Sequence, residues 1–194
     1  MKKTLQALIL CICVTSPLAA QSIPNAGFET WMDGNPVDWW TDNIPTFIEP
    51  VVQTSNAHGG SSAAMGTVLD FSGNPYIPIL AAGSDATGFP INFRPEALHG
   101  WYMFESDSGD NFSVTFVLMN NQMGIGAGTF YSPVVRTVYT EFVANVFYNL
   151  PDIPDSASIV FLIANSPQSH IGSTFTVDDL SLGPATGVDE EPLP

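Results

Sequence analysis

Ser113-Val114-Thr115-Phe116-Val117-Leu118-Met119 alternates along its length and then meets the turn-forming pair Asn120-Asn121. A period of two is that of a half-buried β-strand. Ser158-Ile159-Val160-Phe161-Leu162-Ile163-Ala164 is nearly continuous in apolar residues and reads as a central, buried strand. Tyr139 to Tyr148 predicts a further strand, ended by Asn149-Leu150-Pro151. Thr174-Phe175-Thr176-Val177 alternates and runs into Asp178-Asp179-Leu180-Ser181-Leu182. Long amphipathic helical patterns are hard to find, while 16 Gly and 16 Pro supply turns. The pattern predicts an all-β chain, an antiparallel jelly-roll β-sandwich whose closing strands meet the opening ones. Residues 70–98 are turn-rich and read as loops over one end of the sandwich, carrying one or two short strands.

The start of the chain predicts export. Lys2 and Lys3 precede an apolar run from Leu5 to Val14, and Ser16-Pro17-Leu18-Ala19-Ala20 ends it with small residues. That order is a secretory signal peptide over residues 1–20, too short to anchor in a bilayer. Cys11 and Cys13 both lie inside it, outside a lipidation context. The remaining chain then has no disulfide, thiolate metal site or cysteine nucleophile. The roughly 170 residues that follow suit one domain, 21–183. Only Arg94 and Arg136 then stand against 19 acids. Such a surface repels phosphate backbones and anionic lipid, which excludes nucleic acid and argues against membrane insertion. It is compatible with calcium and with neutral sugars. Residues 184–194 are acidic and Pro-containing, as a linker would be.

Three stretches carry a resemblance. They are Ile23-Pro24-Asn25-Ala26-Gly27-Phe28-Glu29-Thr30-Trp31 with Gly34-Asn35-Pro36-Val37-Asp38-Trp39-Trp40; Gly88-Phe89-Pro90-Ile91-Asn92-Phe93-Arg94-Pro95-Glu96-Ala97-Leu98-His99-Gly100-Trp101-Tyr102; and Gly172-Ser173-Thr174-Phe175-Thr176-Val177 leading into Asp178-Asp179-Leu180-Ser181-Leu182. In this order they resemble the carbohydrate metabolism domain of Bacteroidetes-type secreted proteins, a family named by association. That family is similar to jelly-roll carbohydrate-binding modules and galactose-binding-like domains. The opening and closing motifs mark the wider superfamily, and the middle block is the narrower signal. Met103 departs from the basic residue often found there. The tail Thr186 to Pro194 resembles the approach to a type IX secretion sorting domain, which implies that secretion machinery as a partner if the sorting domain is missing from this chain.

The resemblance implies a structural calcium held by Glu29, Asp178 and Asp179. The first and last strands of a jelly roll are neighbours, so these acids can converge, and calcium takes several oxygen ligands. The plainer alternative is a hydrogen-bond cluster, with Glu29 capping a turn and the Asp pair binding loop amides. Sugar rings stack on flat aromatic faces while polar side chains meet their hydroxyls. Adjacent strand residues face opposite sides, so one of Trp39 and Trp40 points outward, and the same holds for Trp101 and Tyr102. Arg94 either meets a sugar or pairs with an acid such as Glu96 or Asp110. The expected ligand groove is flanked by the outward tryptophan and the middle block around Arg94 and Trp101.

Catalytic patterns are weak. His58, His99 and His170 show no zinc spacing, no Gly-x-Ser-x-Gly elbow occurs, and no acid pair stands out. Gly124 to Gly128 reads as a strand or bulge rather than a phosphate loop. The expected function is a secreted or surface-bound, non-catalytic module that holds a glycan. A structural or adhesion domain without a sugar site is the alternative, and a glycoside hydrolase or lyase comes third. Buried aromatics would favour the second, and two acids facing across a deep cleft the third.

Overall fold

A computed structural model describes residues 22–106, 109–165 and 167–185. The segment expected to be a signal peptide, and the tail from residue 186 onward, lie outside the described residues. All regular structure among the described residues is strand, and no helix is long and apolar enough to cross a membrane.

The strands form two layers. The front sheet runs β3 (Trp39–Thr41), β8 (Ile79–Ala82), β14 (Ser156–Ala164), β11 (Asn111–Asn120), β12 (Met123–Ser132). The back sheet runs β13 (Arg136–Tyr148), β10 (Ala97–Glu105), β15 (Thr174–Gly183), β5 (Ala63–Thr67), β4 (Val51–Thr54). All of these pairings are antiparallel. β13 belongs to both layers: Arg136 to Asn145 pair with β10, and Val146 to Tyr148 pair with β12. Gly126 and Gly128 permit that crossing, because a Cβ at either would stand 2.7 Å from the Tyr148 ring or from the Asn145 carbonyl. β9 (Phe89–Pro90) adds to β14. Two hairpins, β1 (Trp31–Met32) with β2 (Asn35–Pro36) and β6 (Leu69–Phe71) with β7 (Asn74–Tyr76), complete the set.

Alternation decides the core. Phe112, Phe116 and Phe161 from the front meet Tyr102, Phe104, Phe142 and Phe175 from the back, all fully buried. Tyr102 stacks on Phe112 at 4.7 Å, and Phe112 lies 5.7 Å from Phe175. The expected strand over 113–119 forms most of β11, and 158–164 is a central strand as its apolar run requires. Residues 70–98 differ from expectation. They contain parts or all of four short strands, and one of these, β8, is a full member of the front sheet. Its four residues are too few for an alternation to show against the surrounding turns.

The last strand meets the chain's opening as the jelly-roll reading requires, but through a turn rather than a strand. The Leu180 N–H donates to the Ala26 carbonyl at 2.9 Å. A bulge makes this possible: Asp179 and Leu180 together oppose Gly100, between the pairs His99↔Ser181 and Trp101↔Asp178. Asp179 takes a φ of +47° there, so Leu180 rather than Asp179 fills the core position.

Candidate functional site

Three surfaces hold the chemistry-bearing residues: the outer face of each sheet and a cleft at the front sheet's edge.

On the front sheet, register fixes what faces outward. One row across the strands is Trp40, Ala81, Val160, Thr115, Thr129. Beside it on one side stand Ile79, Leu162, Ser113 and Tyr131, and on the other Ser158, Val117, Ala127 and Phe147. None of these outward residues is charged, although the chain has a formal charge of −15. Most are small, aliphatic or hydroxylated, and most are partly open to solvent. Tyr131 and Phe147, the latter 82% exposed, stand at one margin and Trp40 at the other. The loop through Ala86 and Thr87 forms a shallow groove of about 530 Å³ with Val117, Met119 and Ser158. Val117, Ala127 and Phe147 border a second depression.

The back sheet's outer face is different. It carries His99, Trp101, Met103 and Glu105 on β10, Glu141 on β13 and Asp178 on β15. The loop before β5 lies over part of it. His58 stacks on Trp101 with ring centroids 4.0 Å apart and planes 11° off parallel, and meets Tyr139 edge-on. The Tyr139 hydroxyl donates to the Asn56 carbonyl at 2.6 Å. Burial, with Asp178 and Asp179 nearby, pushes that phenol well above its ordinary value.

The three sequence-predicted acids meet this same loop. Asp178, 0% exposed, accepts the N–H groups of His58 (2.8 Å), Gly59 (3.1 Å) and Asp179 (2.8 Å). Burial still leaves its carboxyl raised. Glu29 accepts from Ser61 N–H and hydroxyl (2.8 and 2.6 Å) and from Ser62 N–H (3.1 Å), which hold it below the usual carboxylate range. Asp179 lies 2.7 Å from His58 Nδ1. A Cβ on Gly59 or Gly60 would strike Asp179 or Glu29. A Cβ on Gly27 would stand 3.4 Å from Asp179 Oδ1 and 3.9 Å from both Asp178 Oδ1 and Glu29 Cγ. Gly27 therefore lies beside oxygens of Asp178 and Asp179 and beside the Glu29 methylene, while the Glu29 oxygens turn to Ser61 and Ser62; carboxylate oxygens are of the hard type that calcium takes.

The aromatic and cationic expectations need correction. Trp39 is 3% exposed; it packs against Phe28 and Phe161 and donates to the Pro24 carbonyl. Tyr102 is 2% exposed and lies in the core. Neither reaches a surface ligand, because each takes the inward side of its strand. Arg94 pins the middle block to the β13–β14 connection. Its Nη1 donates to the Leu150 carbonyl (2.9 Å) and to that of Asp152, and its guanidinium lies 3.6 Å over the Tyr148 ring. Neither Glu96 nor Asp110 is its partner. Trp101 does face outward, but His58 covers it. Trp40 and Trp101 lie on opposite faces of the sandwich, so they cannot flank one groove. Phe147 was missed, although the alternation of 139–148 already sets it opposite to Tyr148.

Asp110 forms a further knot. It lies 2.8 Å from His170 Nδ1 and accepts the His170 N–H (2.7 Å) and the Asn165 amide (2.9 Å). Burial pushes its carboxyl up, but these bonds and one from Ser173 outweigh it, so it sits below its ordinary value.

No family model matches this chain, and no curated protein does. Solved structures do match in shape. A candidate glycoside hydrolase from Bacteroides thetaiotaomicron superposes with a TM-score of 0.62 at 12% identity, over 84% of this chain and 71% of that one. TmCBM61, solved with β-1,4-galactotriose, gives 0.54 at 16% identity over 86% of this chain and all of the other. CBM28, a module specific for non-crystalline cellulose, gives 0.54 at 14% identity over 84% and 95%. At such identities the likeness is one of fold. The chain has the β-sandwich architecture found in carbohydrate-binding modules and in proteins classed with glycoside hydrolases.

Proposed function

We propose that this protein is a secreted, non-catalytic glycan-binding module, and that its ligand lies across the outer face of the front sheet. The observation that carries this reading is the charge-free, open face in a chain whose few charged residues are nearly all acids. A neutral polysaccharide has apolar C–H faces for Val117, Val160, Leu162 and the marginal aromatics, and hydroxyls for Ser113, Thr115, Thr129 and Ser158. An anionic ligand would be repelled by the protein's net charge. Sandwiches of this shape include modules crystallised with or specific for glycans, which supports the reading by analogy. On this proposal Trp40, not Trp39, is the tryptophan that serves the ligand, while Arg94 and Tyr102 serve the scaffold.

The cradle of Glu29, Asp178 and Asp179 is proposed to hold calcium in the space above Gly27. There the ion would tie the chain's opening to its last strand. It would stabilise the sandwich and take no part in binding sugar. The proposed destination is the cell exterior or surface, reached through the N-terminal signal peptide, with type IX secretion machinery as a partner if a sorting domain follows.

Affinity electrophoresis against a panel of neutral and anionic polysaccharides tests the main claim. A neutral glycan is expected to retard the protein, and Phe147→Ala is expected to weaken that binding roughly tenfold, the effect of losing one aromatic contact. Stability should change by less than about 0.5 kcal/mol, since Phe147 is exposed. Binding that survives both Phe147→Ala and Thr115→Asp would place the ligand elsewhere.

A further inference from the structure

The cleft at the β3 edge has a different chemistry from the face beside it. It encloses about 480 Å³ and is lined by Trp40, Met32, Asp33, Asp38, Asn43 and Ser84, among others. That volume falls within the range of small-molecule sites, about 300–1,000 Å³. The hairpin of β1 and β2 builds one wall. Asp33 and Gly34 form its turn, with φ of +51° and +79°, and Asp38 takes +65° before β3. The floor is fixed by side-chain amides: Asn43 donates to the Val51 carbonyl at 2.7 Å and to Asn35 Oδ1 at 3.2 Å, and Thr41 donates to Asn35 Oδ1.

Two carboxylates line this cleft, and no cationic side chain does. Asp33 and Asp38 are exposed, and among the described residues neither side chain has a hydrogen-bond or ion-pair partner. Trp40 supplies a half-buried aromatic wall. An indole attracts a cation through its face, and a carboxylate forms its strongest hydrogen bonds with a charged donor. A neutral sugar would leave that charge uncompensated, whereas a protonated amine on an otherwise apolar and hydroxylated ring would use all three groups.

We infer that the cleft is a second binding site, for a sugar bearing a protonated amine. The site goes beyond the glycan-binding face: it shares Trp40 with that face's margin, but Asp33 and Asp38, the groups that would hold the amine, come from the β1–β2 turn and the segment before β3. Asp33 and Asp38 hold the ammonium, Trp40 packs on the ring, and Ser84 stands within the same cleft for hydroxyls.

Calorimetric titration of the full chain with a glucosamine tetramer, its N-acetylated counterpart and cellotetraose tests this. At low salt the amine form is expected to bind at least tenfold more tightly than the N-acetylated form. That preference should shrink several-fold at 0.3 M NaCl as the charges are screened. Asp33→Asn and Asp38→Asn keep residues that accept a positive φ, and each is expected to lower affinity for the amine form roughly tenfold, with cellotetraose binding within twofold. A preference that survives the double substitution would come from the overall negative charge and would overturn the site, as would equal binding of the amine and N-acetylated forms. Binding of the amine form alone, abolished by the double substitution and untouched by Phe147→Ala, would support the cleft and sink the front-face reading. Neutral-glycan binding lost in Phe147→Ala, without any amine preference, would do the reverse.

Discussion

The two outer faces of the sandwich come from strands of similar length, yet they solve opposite problems. The back face carries Glu105, Glu141, Asp178 and a tryptophan, and the chain folds a loop over part of it. His58 covers Trp101, and backbone N–H groups saturate Asp178. The front face carries no charge, keeps Tyr131 and Phe147 in solvent, and has loops along its border rather than across it. Buried polar groups demand partners, so the back face closes on itself. An uncharged face makes no such demand and can stay open. An exposed aromatic alone needs no explanation; aromatics at the margins of an uncharged platform are better placed for a ligand than for the core.

The contrast can be broken most sharply at the adjacent tryptophans. Trp39→Ala is expected to cost about 4 kcal/mol of unfolding free energy, because it empties a core position between Phe28 and Phe161. Trp40→Ala should cost about 1 kcal/mol or less. Denaturant unfolding of both variants checks this, and comparable losses would mean that Trp40 is also a packing residue.

On the back face, Asp178→Ala should cost about 3 kcal/mol, since it orphans three N–H groups beneath the 58–60 loop. Glycan affinity of the folded variant should stay within twofold. The same substitution probes the proposed ion. Calcium is expected to raise the wild-type melting temperature by an amount on the order of 5 °C over a chelator control, and this rise should vanish in the variant. A shift of equal size in both proteins would place the ion elsewhere.

The smallest effect concerns acid. Front-face binding should vary less than about twofold between pH 5 and 8, because the outward residues there include no Asp, Glu, His, Lys or Arg. Stability behaves differently. Asp110 is held below its ordinary value in the fold, so its contribution is present above the unfolded carboxylate pKa and is lost as pH falls through the folded one. Asp110→Asn should therefore be less stable than wild type at neutral pH, and the gap should narrow below about pH 4. Melting curves across pH 2–8 measure it. A gap independent of pH would mean that shape rather than charge makes Asp110 matter.

Much of this was legible in the residues. The alternation of 113–119 and the apolar run of 158–164 each predicted a strand, and both are central in the front sheet. Glu29, Asp178 and Asp179 were expected to meet because the first and last segments do; the structure shows all three bonding residues of one loop, and a shared ion remains a proposal. The aromatics were less legible. Alternation says that Trp39 and Trp40 point oppositely, but not which one points inward. That choice depends on Phe28 and Phe161, distant in sequence and close only once the sheets pack. Arg94 was equally opaque, because its partners are backbone carbonyls and a ring more than fifty residues away.

By itself the sequence determined the β-class, the positions of four of the six long strands (β11, β13, β14 and β15) and their two-sidedness, because side-chain period is a local property of the backbone. Only the tertiary structure decided which side of each strand is inside, that Trp40 and Trp101 stand on opposite faces, and that one face stays uncharged and open. Those outcomes depend on which strands become neighbours. Strand order is set by packing and hydrogen bonding over the whole chain, and no short window of residues contains it.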